Sequence, residues 1–121
     1  MRLPCWRLRY LSYSISNLFY YFTTIWNDRD WDGDYYYYLL LRKIQRQRKR
    51  YQEHDYFVGQ NYVIVQMRAC EILLERLISG WYVKQINWDI ENDYKKWTDR
   101  EMKEQELLFK ILSQYIRHWW D

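Results

Sequence analysis

A chain of 121 residues has room for one ordinary domain, and its aromatic load (Trp 8, Tyr 14, Phe 4) stands against only Gly 3 and Pro 1. So few turn formers exclude the many tight turns of a sandwich or barrel, and 49% hydrophobic content with 29% charged residues of both signs excludes a disordered chain. The formal net charge of +3 is too small for binding long nucleic acid, but it is unevenly laid out. Residues 1–27 hold Arg2, Arg7 and Arg9 and no acid; residues 28–34 hold four Asp against Arg29; residues 42–55 hold six Lys/Arg against Glu53 and Asp55. The expected architecture is all-α, with one domain over 1–121. It is a compact bundle of about four helices with an aromatic-rich core drawn from all of them, and it is oligomeric.

In chain order, Ile15, Leu18, Phe19, Phe22 and Trp26 recur at steps of three and four and predict a first helix from Ser12 to Trp26. Tyr10 to Asn27 is an uncharged run after three Arg, as in a signal anchor. Ser12, Ser14, Ser16, Asn17, Thr23, Thr24 and Asn27 interrupt it, so a core helix is expected instead of a span or an interfacial helix. The second helix starts at Asp32 or Asp34, whose carboxylate suits a helix N-terminus, and runs to about Phe57. Its apolar side carries Tyr36, Tyr37, Leu40, Leu41, Ile44 and Tyr51; its other side carries Arg42, Lys43, Arg46, Lys49 and Arg50 with Glu53. Gly59 stands where a C-terminal glycine would close this helix.

The third helix has the clearest period: Val63, Met67, Cys70, Leu74 and Leu77 step by 4-3-4-3, widened by Ile64, Leu73 and Ile78. Gly80 ends it. Residues 81–97 predict a short helix and a turn near Asn87–Asp89. Thr98 and Glu101 then fit a capping box at the start of a last helix, with Leu108, Leu112, Tyr115 and Trp119 inward.

The candidate chemistry is sparse. Asp28-Arg29-Asp30-Trp31-Asp32-Gly33-Asp34 opens like a calcium loop, but the twelfth position, which needs a bidentate Glu, is Leu39, so helix capping is the better reading. Cys5 and Cys70 give neither metal spacing nor a disulfide framework; Cys70 reads as a small buried hydrophobe in a reducing compartment. His54 and His118 have no partner at a catalytic spacing, and no nucleophile elbow, Walker or dinucleotide fingerprint occurs, so no enzyme and no cofactor are expected. Arg42, Arg46, Lys49 and Arg50 lie at i, i+4, i+7 and i+8 on one helical strip. Arg suits bidentate phosphate contact and aromatic rings stack on bases, which points to a nucleotide-type ligand. The plain alternative is a solvated face paired with Glu71, Glu75 or Glu104. In Arg117-His118-Trp119-Trp120-Asp121 one Trp should pack inward and the other meet a subunit or a ligand.

Three stretches taken together, Trp26-Asn27-Asp28-Arg29-Asp30-Trp31-Asp32, Leu73-Leu74-Glu75-Arg76-Leu77-Ile78 and Trp119-Trp120-Asp121, resemble a group of small phage-encoded proteins, mostly without assigned function. The similarity spans most of the chain in order. The group has an aromatic or other residue where this chain has Gly33, which speaks against a calcium loop. The resemblance implies an accessory protein acting in the host cytoplasm. Together with the basic strip, it leads to an expected role as a non-enzymatic counter-defence protein that sequesters a nucleotide-type immune signal. Arg42, Arg46, Lys49 and Arg50 would hold the phosphates, Trp31 or Trp120 would stack on a base, and Arg29 and Asp30 would add polar contacts. The alternative is an inhibitor of a host defence complex by protein–protein contact. A membrane is not the expected partner, although docking through Arg2, Trp6, Arg7 and the first helix is a third possibility.

Overall fold

The computed structural model describes residues 5–29, 33–55 and 57–120, and all regular structure among them is helical. The elements are α1 (Cys5–Asn27), α2 (Asp34–Glu53), α3 (Gln60–Ser79), α4 (Trp81–Gln85), α5 (Asp93–Tyr115) and a closing 3-10 turn (Ile116–Trp120). The chain divides into two compact units, Met1–Leu39 and Leu40–Asp121, with the boundary inside α2.

In the first unit, α1 is longer than its apolar period predicted and faces the other way. The residues on which it closes against its neighbours are tyrosyl and polar: Tyr20, Tyr21 and Thr24 are half-buried. Thr23, Thr24 and Asn27 line a depression of about 270 Å³ with Tyr35 and Tyr38 from the start of α2. The expected core stripe is exposed, with Leu18 at 68%, Phe19 at 80% and Trp26 at 71%. The expected burial of α1 therefore fails, and no residue of α1 is buried among those described. Within residues 1–39 its companion is the tyrosine run of α2, which offers hydroxyls and ring edges where an apolar helix face would need a second apolar layer.

The second unit has a conventional core. α3 lies against α4, α5 and the closing turn. It buries Val63, Met67, Cys70, Leu73 and Leu74 as its period predicted; Ile44 and Tyr51 of α2, Tyr82 of α4, Leu108 and Leu112 of α5, and Trp119 are buried as well. Each fully buried aliphatic side chain contributes about 1.5–3 kcal/mol. Of the apolar side predicted for α2, Ile44 and Tyr51 are buried while Tyr36 is 81% exposed. Tyr115, placed inward by spacing, is exposed because the helix ends there and the chain tightens into the 3-10 turn that brings Trp119 inside.

Two capping expectations are corrected. Gly59 (φ +88) does not close α2, which ends at Glu53; it immediately precedes α3, and its carbonyl accepts the first bond from the Tyr62 amide at 3.1 Å. Thr98 is not a cap, because α5 already begins at Asp93 behind Asn92 (φ +65), and the Thr98 hydroxyl donates to the Tyr94 carbonyl one turn back at 2.7 Å. The turn at Asn87–Asp89 forms as expected: the Asp93 carboxylate accepts from the Asn87 amide at 2.7 Å, and the Asn87 side chain accepts from the Asp89 amide at 3.1 Å. Gly80 (φ +67) ends α3, its amide donating to the Arg76 carbonyl.

Candidate functional site

The basic strip on α2 is only partly open. Lys49 and Arg50 are exposed, whereas Arg42 and Arg46 are half-buried. Arg42, Arg46 and Arg50 each take part in interactions within the protein, so an anion at this strip competes with contacts already made. Arg29 points its guanidinium at the end of α1, donating to the Trp26 and Asp28 carbonyls at 3.2 and 2.7 Å. That is the ordinary work of a cation at a helix C-terminus. Asp30 and Trp31 lie outside the described residues, as does the side chain of Trp120. Its neighbour Trp119 is buried, its indole N–H donates to Gln66 Oε1 at 3.0 Å, and its carbonyl accepts the Tyr51 hydroxyl, so the inward member of the Trp pair is Trp119.

Glu71 and Glu104, which spacing offered as partners of the strip, instead hold Arg48 and the pair Arg76 and Arg100, two groupings that sequence reasoning did not assign. Glu71, wholly buried on α3, takes the Arg48 guanidinium of α2 in a two-pronged grip, Nε on Oε2 and Nη2 on Oε1, the latter at 2.9 Å. Arg68 stands 3.8 Å away and Gln52 accepts from Arg48 at 3.0 Å. Glu71 therefore neutralises Arg48, which was not counted with the strip. The second grouping joins α3, α4 and α5. The Arg76 guanidinium lies 4.3 Å over the Trp81 ring, and that of Arg100 lies 5.3 Å from Trp81 and 5.1 Å from Trp97. The two indoles meet edge to face at 5.6 Å. Glu104 ties the cluster together, pairing with Arg76 at 2.9 Å and Arg100 at 3.4 Å and accepting the Tyr82 hydroxyl. Burial, then the bond to Glu104, pushes the Tyr82 phenol well above its usual range. These cations already have rings and a carboxylate, so the cluster is a clamp between helices.

An apolar surface that the fold does not use lies on α1. At 100° per residue, Leu8, Leu11, Ile15, Leu18, Phe19, Phe22, Ile25 and Trp26 fall within an arc about 120° wide. All eight are exposed. Phe22 and Trp26 stack on each other at 5.6 Å along this stripe. The half-buried Tyr20, Tyr21 and Thr24 lie on the opposite side of the helix. The signal was present in sequence at Leu8, Leu11 and Ile25, which extend the period beyond the five residues that define the predicted helix.

Comparison with protein families, curated proteins and solved structures finds no match to this chain. No helix among the described residues is long and apolar enough to cross a membrane. No group of three or more His, Cys, Asp or Glu converges to hold a metal among them.

Proposed function

We propose that this protein is a non-enzymatic interaction protein that works by protein–protein contact, with α1 as its contact helix. The observation that carries this reading is the outward stripe of eight large apolar residues on α1. Typical monomers expose contiguous apolar patches of roughly 300–600 Å², and larger ones mark interaction surfaces. In the phage setting that the resemblance implies, the contact would serve a counter-defence role in the host cytoplasm. The test is native mass spectrometry of the purified chain beside a Leu18→Glu/Phe22→Glu variant. The expected result is a mass above 15.6 kDa for the natural chain and 15.6 kDa for a variant whose helical content is unchanged. A natural chain that runs at 15.6 kDa when purified alone and that holds no other protein through α1 removes the reading.

Capture of a nucleotide-type phosphate is the second reading, favoured by the exposed Lys49 and Arg50 one turn beyond Arg46 on α2. A melting temperature raised by a cyclic or linear nucleotide, and not raised after Lys49→Glu/Arg50→Glu, supports it. Absence of any rise at millimolar nucleotide rejects it.

A further inference from the structure

We infer that the occupant of the α1 stripe is α1 of a second copy, laid antiparallel; this rests on the reading of α1 as a contact helix. Leu8, Leu11, Ile15, Leu18, Phe22 and Ile25 step by 3-4-3-4-3, the seam of a helix that packs along another helix, and Phe19 and Trp26 flank it. The seam is exposed along its whole length in a helix of 23 residues, about 35 Å long.

Area is sufficient. Three aromatic rings at roughly 150–250 Å² each, with five aliphatic side chains beside them, give on the order of 1,000 Å² per copy, against about 800 Å² per partner in a standard interface. Charge sets the direction. Tyr10 to Asn27 contains no ionised side chain, so nothing along the seam selects a foreign helix by complementary charge. The ends are unlike: Arg7 and Arg9 stand near the start of α1, and Asp28 opens the acidic stretch at its end. An antiparallel pair sets the basic end of one copy beside the acidic end of the other and opposes the two helix dipoles; a parallel pair sets like beside like. The same features disfavour a lipid surface. The face opposite the stripe carries no Lys or Arg between Tyr10 and Asn27, and the acids after Asn27 are repelled by anionic headgroups.

In the antiparallel register Ile15 of one copy faces Leu18 of the other, because the seam's midpoint falls between them. Sedimentation equilibrium of the full chain should show a dimer, and Ile15→Lys or Leu18→Glu alone should weaken it roughly 100-fold or more by placing two like charges near the axis. An equimolar mixture of the two variants should pair again, as a heterodimer. Failure of the mixture to pair while the natural chain is dimeric overturns the antiparallel pairing. Small vesicles of neutral phosphatidylcholine form the second arm: a monomeric chain that floats with them, and no longer floats after Leu18→Glu, overturns the inference and the protein–protein reading together, because the stripe then meets lipid. A foreign protein held through α1 by a chain that is otherwise monomeric overturns the inference while α1 remains a protein-contact helix. A monomer that binds neither vesicles nor protein defeats the inference and the reading of α1 together.

Discussion

Replacing Arg48 by Met strands the Glu71 carboxylate where it has no exposure at all, with Arg68 standing off at 3.8 Å. Removing one member of a buried pair costs about 3–5 kcal/mol, because the other charge keeps its desolvation penalty and loses its compensation. The reverse change is milder. With Glu71→Leu the orphaned guanidinium is already 16% exposed, and its long stem lets it swing toward water, so about 1–2 kcal/mol is expected. Changing both residues together removes both penalties and should return stability to within about 1 kcal/mol of the natural chain. Urea unfolding of the four chains followed by circular dichroism gives the cycle, with the m-value checked for constancy. A cost below about 1 kcal/mol for Arg48→Met, or a double variant as unstable as that single one, would refute the claim that this pair compensates a buried charge between α2 and α3.

Burial, and secondarily Glu71, raises the Cys70 thiol from 9.0 to about 11. The folded chain therefore holds a proton that the unfolded chain releases: stability is complete below about pH 8.5 and falls by about 3 kcal/mol as the pH passes through 11. Thermal unfolding across pH 7–11 should show this decline, and Cys70→Ala should flatten it; an equal slope in both chains would assign the loss elsewhere. Thr98 lies inside α5 and bonds back to Tyr94, so Thr98→Ala should shift stability by no more than about 0.5 kcal/mol in either direction. A loss of 1 kcal/mol or more in urea unfolding would restore it as a helix cap.

Local rules reached far in this chain because helices announce themselves locally. The 4-3-4-3 step of Val63, Met67, Cys70, Leu74 and Leu77, the left-handed Gly80 and the turn near Asn87 were readable without coordinates, since each depends on neighbours within a turn or two. Periodicity also found the stripe on α1, but it says that a face is apolar, not what the face meets. Whether such a face is covered depends on residues far away in sequence, and here the nearby tyrosines of α2 meet the polar side while the stripe stays in water. The same limit applied to charge. Spacing placed Arg42, Arg46, Lys49 and Arg50 on a strip, yet nothing within α2 reveals that Arg48 belongs to Glu71, 23 residues on, or that Glu104 ties Arg76 to Arg100. Ion pairs between helices are set by the packing that brings the helices together, and a sequence period records only one helix at a time.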